Sequence, residues 1–320
     1  MNILFITATR IGDAVLSTGL LGHLVERHPG SALTIAAGPA AAPLFEAVPG
    51  LERVLVLAKQ RFSLHWLALY GAVALRRWDL VVDLRGSALA YLLWAGRRRI
   101  AAKADAGEHR VRQLGRLFAL DPPPAPRLWT APRHEQAAAA LVPPGGPVLA
   151  IGPAANWRGK QWRAERFAEL AQRITGANGP LPGARVAVLA AAHEREQAVP
   201  VLAALPPARR IDLIGRTDLL TAAAVLRRAA LFVGNDTGIM HVAAAMGTPT
   251  LGLFGPSLAE HYAPWGPRTA VATTAASYDE LVGAPGYDHR TTGTLMDSLN
   301  VDAAEAAARR LWASVSGEAA

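Results

Sequence analysis

Leu231-Phe232-Val233-Gly234-Asn235-Asp236-Thr237-Gly238-Ile239-Met240-His241-Val242-Ala243-Ala244-Ala245-Met246-Gly247-Thr248-Pro249-Thr250-Leu251-Gly252-Leu253-Phe254 reads as a strand, a turn, a short helix and a second strand. Leu231–Val233 is a brief β-rich apolar run, and Ile239–Met246 is long enough for a helix on an Ala-rich face. Gly247 and Pro249 stop that helix, and Thr250–Phe254 resumes as strand. A strand, helix and strand in so short a span form a parallel βαβ unit.

The same alternation extends outward from this unit. Upstream, strands are predicted at Val148–Ile151, Arg185–Leu189 and Ile211–Ile214, with helices at Ala164–Ile174, Arg195–Ala204 and Leu219–Ala229. A last helix is predicted over Asp302–Ser314. The first half repeats the logic with strands at Ile3–Ala8, Leu33–Ala37, Val54–Leu57 and Leu80–Leu84 and helices at Ala14–Arg27, Leu64–Arg77 and His109–Leu120. Proline-rich segments, Pro122–Pro126 and Pro143–Pro147, separate the halves. The expected architecture is therefore α/β, with two Rossmann-like, doubly wound parallel-sheet domains at 1–145 and 146–320. Their facing carboxyl strand ends would make a central cleft, where ligands of open α/β sheets bind.

Bulk composition agrees with large buried cores: 320 residues, 51% hydrophobic and 18% charged. The chain has no cysteine, which excludes disulfides and thiolate metal sites and fits a reducing compartment. The N-terminus runs straight into a strand with no basic leader, so no signal peptide is expected. The apolar stretch beginning at Thr237 is not a membrane span, because Gly247, Pro249, Gly252, Gly255 and Pro256 interrupt it. A net charge of +8 favours anionic partners, or serves solubility alone.

Four segments carry candidate chemistry. Arg10-Ile11-Gly12-Asp13 occupies the turn after the first strand, where Gly12 permits close backbone approach and Asp13 either faces the cleft or caps the helix. In Gly234–His241, the N–H groups of Thr237, Gly238 and Ile239 at a helix N-terminus suit a diphosphate. Asp236 would accept hydrogen bonds from sugar hydroxyls, and His241 lies one turn into the helix. The loop Gly152–Trp162 resembles a P-loop only superficially, since six residues rather than four separate Gly152 from Gly159 and Gln161 follows the lysine. Lys160 still sits where it can reach a phosphate. The fourth segment is basic: Arg97, Arg98, Arg99, Lys103 and Arg110, joined by Arg112 and Arg116. Together with Arg10 it suits an anionic acceptor or an acidic membrane face, or is a solvated positive surface. Nucleic acid is not expected, because aromatic residues are not interleaved with the cluster. No Asp-x-Asp pair and no histidine ligand spacing occur, so no metal and no cofactor are expected.

In this order the motifs resemble the family 9 glycosyltransferases, which include ADP-heptose:lipopolysaccharide heptosyltransferases. The resemblance spans essentially the whole chain and is most specific from Gly234 through His241 and Gly247-Thr248-Pro249 to Gly255-Pro256-Ser257. It implies a GT-B fold, inversion at the anomeric carbon and no metal. It makes Asp13 the general base, Lys160 a ligand of the donor diphosphate, and Thr237 and Gly238 phosphate binders. Asp236 and His241 would line the donor sugar. Glu194 in His193-Glu194-Arg195-Glu196 would hold the ribose, with the choice between Glu194 and Glu196 open. It further implies a nucleotide-sugar donor, an anionic glycolipid or glycan acceptor, and work in the cytoplasm, including peripheral contact with the inner membrane. Two rival readings share the fold: a sugar-nucleotide 2-epimerase, and a sugar-nucleotide-binding protein without turnover.

Overall fold

The computed structural model describes all residues except 103, 104, 106, 284, 286 and 318–320. The chain divides into two compact units, Met1–Ala131 and Pro132–Ala320.

The first unit holds a five-stranded parallel sheet of β1 (Asn2–Ile6), β2 (Ala32–Ala37), β3 (Leu51–Val56), β4 (Trp78–Asp83) and β5 (Ala95–Ile100), in the order β3-β2-β1-β4-β5. Ile3, Leu4, Phe5 and Ile6 are fully buried, as a central strand covered on both faces requires. Among the described residues four α-helices accompany the sheet: α1 (Ile11–Arg27), α2 (Leu64–Val73), α3 (Leu89–Leu92) and α4 (Arg110–Arg116). Leu69 and Val73 of α2 share one apolar cluster with Leu89, Ala90 and Leu93 around α3.

In the second unit the parallel sheet has six strands: β6 (Val148–Gly152), β7 (Arg185–Val188), β8 (Arg210–Asp212), β9 (Leu231–Asn235), β10 (Thr250–Phe254) and β11 (Thr269–Thr273), ordered β11-β10-β9-β6-β7-β8. Its helices include α5 (Pro132–Leu141), α6 (Ala164–Thr175), α7 (Arg195–Ala203), α8 (Leu219–Arg227) and α9 (Gly238–Ala245). Helix α6 shows the amphipathic rule plainly, burying Phe167, Leu170, Ala171 and Ile174 at helical spacing. A C-terminal helix, Val301–Ser316, packs on the same core through Ala304, Ala308 and Leu311, and the Asn300 side chain caps its first turn from Ala303 N at 2.8 Å.

Two expectations need correction. The boundary falls at Ala131/Pro132 rather than 145, because α5 belongs with the second unit: Glu135 of α5 pairs with Arg227 of α8 at 2.5 Å. The triple arginine is not simply a basic stretch but half of the six-residue edge strand β5. An edge strand is half exposed, so it needs no continuous apolar run, and its charged side chains discourage further strand pairing. Strands β5 and β11 and helix α5 are absent from the periodicity reading.

Candidate functional site

A doubly wound sheet binds ligands where its strand order reverses, since neighbouring βα turns there diverge and leave a crevice. In the second unit that point lies between β6 and β9. The turn after β6 carries Lys160, and the turn after β9 carries Asp236, Thr237 and Gly238. The two strands pair with Gly152 opposite Gly234. A Cβ on Gly234 would lie 2.8 Å from the Gly152 carbonyl oxygen, and one on Gly152 would lie 2.8 Å from the Phe232 ring. Side chains at either position would push the turns apart.

Across this point the Lys160 ammonium donates to Asp236 Oδ2 at 2.5 Å. Asp236 is buried and Lys160 is 24% exposed, so the carboxylate is neutralised inside while the ammonium keeps one side toward solvent. His241 Nε2 lies 3.9 Å from the other carboxylate oxygen, Asp236 Oδ1. Thr237 is the N-cap of α9, but its side chain makes no capping hydrogen bond, and its buried hydroxyl has no hydrogen-bond partner among the described residues. The N–H groups of Gly238 and Ile239 open that helix ahead of its own ladder. The site thus gathers a cation, a helix N-terminus and an unsatisfied hydroxyl, the components of an anion site. Lys160, Asp236, Thr237, Gly238 and His241 come together as one group.

Sequence reasoning missed what holds this group. Asn235, fully buried, donates from Nδ2 to Pro153 O at 2.7 Å and accepts at Oδ1 from Trp162 N at 3.2 Å, tying the end of β9 to both sides of the Lys160 loop. Gln197 accepts from Ala155 N at 3.0 Å. A distant segment then crosses the loop. Thr294 Oγ1 donates to Gln161 O at 2.5 Å, Leu295 N donates to Gly159 O at 3.0 Å, and Trp157 Nε1 donates to His289 O at 2.9 Å. Arg163 grips Asp297 with two bonds of 2.5 and 2.6 Å. These bonds hold the Asp297 carboxyl below its ordinary pKa, against the smaller opposing effect of burial. In the sequence, residues 277–292 have no mechanism that can be derived from them, and nothing there pointed to this arrangement.

The other expected residues are placed as follows. Glu194 turns back on its own helical turn, where Oε2 accepts from Ala191 N at 2.9 Å. Glu196, with Ala192, His193 and Val199, lines a depression of about 550 Å³ instead, and it also borders a second of about 520 Å³ with Gln161, Gln197, Thr294 and Asp297. Of the two carboxylates left open by the sequence, Glu196 faces the cavities. In the first unit Asp13 lies in the first turn of α1, three residues after the N-cap Arg10. Gly12 sits between them in that turn, and Arg10 is exposed. Arg98 directs its guanidinium to the carbonyls of Ala90, Ala95 and Leu93 at 2.9, 3.2 and 2.5 Å, so it braces the chain around α3 rather than presenting its charge to an anion. Arg97 is exposed, Arg99 stacks over Phe118 at 5.5 Å, and Arg110 bonds Gln113 at 3.2 Å. Lys103 lies outside the described residues. No cluster of three or more His, Asp or Glu suited to a metal occurs among the described residues.

Two doubly wound parallel-sheet units are the architecture of the GT-B fold. Solved structures share this fold: the family 9 glycosyltransferase of Veillonella parvula superposes with a TM-score of 0.77 at 19% identity over 97% of each chain. The ADP-heptose lipopolysaccharide heptosyltransferase II of Escherichia coli gives 0.75 at 20% identity over 100% of each chain. The lipooligosaccharide heptosyltransferase 2 of Haemophilus influenzae is 23% identical over 311 residues, covering 85% of this chain and 88% of that protein. The family model of glycosyltransferase family 9 (heptosyltransferase) matches residues 81–281, and the chain belongs to that family. It is a glycosyltransferase, which sets aside the epimerase and the non-catalytic binding protein.

Proposed function

We propose that the protein transfers a heptose from ADP-heptose, with inversion and without a metal, to an anionic lipopolysaccharide-core or related glycan acceptor at the cytoplasmic face of the inner membrane. The observation that carries the reading is the meeting of Lys160 and Asp236 at the β6/β9 switch point, beside the N-terminus of α9. Lysine carries three N–H donors, so one can stay on Asp236 while the others reach a diphosphate. Asp236 and His241 would then border the sugar, and Glu196 with the rim of the neighbouring depressions would take the nucleoside.

In the proposed reaction an acceptor hydroxyl oxygen attacks the anomeric carbon while the bond from that carbon to the diphosphate oxygen breaks. Asp13 takes the hydroxyl proton, and ADP leaves with the bonding pair. The developing charge falls on oxygens held by Lys160, the Thr237 hydroxyl and the first N–H groups of α9. Positioned donors of this kind typically supply about 3–4 kcal/mol each, and a general base adds about 10²–10⁴-fold. Arg10, Arg97 and Arg99 are proposed to draw in an anionic acceptor. Incubating the protein with ADP-heptose and heptose-deficient lipopolysaccharide, with ADP release and acceptor mass measured, tests the reading. Asp13→Asn should lose transfer yet still bind ADP-heptose; a purified variant with near-normal transfer would remove Asp13 as the base.

A further inference from the structure

The first unit carries an exposed apolar surface to which the transfer reading assigns no residue. Helix α2, Leu64-His65-Trp66-Leu67-Ala68-Leu69-Tyr70-Gly71-Ala72-Val73, contains no charged residue. Leu69 and Val73 fill the core beneath it, while Leu64, Leu67 and Tyr70 face outward. A helix apolar all round needs apolar matter on both sides, and ten residues are too few to cross a bilayer. Helix α3 packs into the same cluster and adds Tyr91 and Leu92, followed by Trp94. Phe62, Leu67, Tyr91, Leu92 and Trp94 are each between 66% and 87% exposed, and Leu75 is 99% exposed. Phe62 is held outward at φ 52°, a left-handed conformation that a bulky side chain adopts only under constraint.

Charge identifies what would cover this face. Lys59, Arg61, Arg77 and Arg85 are exposed around it, whereas the acids of the same stretch are spoken for: Asp79 accepts from Asn2 N at 2.6 Å, and Asp83 is buried, capping Arg85 N and Ser87 N at 2.8 Å each. Guanidinium groups lie over aromatic rings, Arg61 on Phe62 at 5.6 Å, Arg77 on Trp94 at 5.7 Å and Arg85 on Trp66 at 4.7 Å. Aromatic rings with cations beside them match the headgroup layer of a bilayer, where rings enter the acyl boundary and cations meet lipid phosphates. A protein partner would more readily be met by mixed charge at the rim. No helix among the described residues is long and apolar enough to cross a membrane, so insertion would stop at the interface.

We propose that the α2–α3 face docks the protein on an anionic lipid surface, with Phe62, Leu67 and Trp94 entering the interface and Arg61 and Arg77 pairing with lipid phosphates. This deepens the proposed membrane contact, and its test uses neither donor nor acceptor, so a failure here is separable from a failure of the transfer reading. Sedimentation with phosphatidylcholine vesicles containing phosphatidylglycerol should retain the protein, and pure phosphatidylcholine should retain it at least tenfold less. The variant Phe62→Ser/Leu67→Ser/Trp94→Ser should lower binding at least tenfold, and Arg61→Glu/Arg77→Glu should abolish the preference for the anionic lipid. The second variant leaves the apolar residues in place, so it tests the face even if the first fails to fold. Vesicle binding that ignores both variants overturns the proposal. So does an absence of vesicle binding, or light scattering that shows the face buried between two copies.

Discussion

Replacing Lys160 by Met separates the two tasks that its ammonium performs, because the stem is kept and the charge is lost. The first effect is on folding. Asp236 is only 6% exposed and would be left without its cation. Breaking a buried pair costs about 3–5 kcal/mol and an exposed one under about 1, so a pair with one partner 24% exposed should cost about 2 kcal/mol. For a unit of this size that is a fall of roughly 4–8 °C in Tm. The second effect is on binding. A charge-assisted hydrogen bond to phosphate contributes about 1.5–3 kcal/mol, which is roughly a 10- to 100-fold weaker dissociation constant for ADP by calorimetry. Adding Asp236→Leu removes the stranded carboxylate, so the double variant should recover most of the Tm and none of the ADP affinity. That divergence is the diagnostic result. If Lys160→Met left both the melting midpoint and the ADP dissociation constant unchanged, the switch-point ion pair would be neither structural nor a phosphate contact, and the reasoning would be refuted.

Two further outcomes follow from the geometry around that pair. Asp297→Asn should loosen the Lys160 loop and lower Tm at neutral pH; with Arg163 and Asp297 about half exposed, the loss should be about 1 kcal/mol or less. Because Arg163 stabilises the charged carboxylate in the folded state, this contribution is complete above the ordinary carboxylate pKa of about 3.9 and disappears as the pH falls through the lower folded value. Melting curves of wild type and variant should therefore converge in acid, and a gap that persists there would contradict the ion-pair origin. Glu196→Ala should weaken ADP binding more than Glu194→Ala, which should act through stability alone by losing the cap on Ala191 N. Calorimetry showing the reverse order would return the nucleoside role to Glu194.

The central strands of both sheets were legible in the sequence because strands buried on both faces are nearly continuous apolar runs, and Ile3–Ile6 and Leu231–Val233 are such runs. The turn from Asp236 to Gly238 was legible for a local reason too: glycine, a hydroxyl and an acid mark the opening of a helix wherever it lies. Strand β5 was not, since its stability comes from its place on the edge and from Arg98 satisfying carbonyls of α3, neither of which has a periodic signature. Helix α5 was hidden because its burial is confined to residues such as His134 and Ala138, too few to set a pattern. The Lys160 loop was visible, but its supports were not. Thr294, Leu295 and Asp297 lie more than a hundred residues along the chain, and only tertiary folding brings them to it. Glu194 was assigned by resemblance, while the simple rule that an acid three residues into a turn caps it would have pointed to the bond it makes.

The hydrogen bonds of Asn235 have a consequence for how this enzyme can change. Since one buried amide joins the tip of a central strand to both flanks of the lysine loop, the proposed anion pocket is assembled in the same event that assembles the sheet. Such a centre is rigid and tolerates little retuning, because any shift in it is also a shift in the fold. New donor preferences would have to arise at the periphery, through residues such as Glu196, Val199 or Thr294, while the middle stays constant. Diversification in this architecture is a matter of redecorating the rim around an immovable hub.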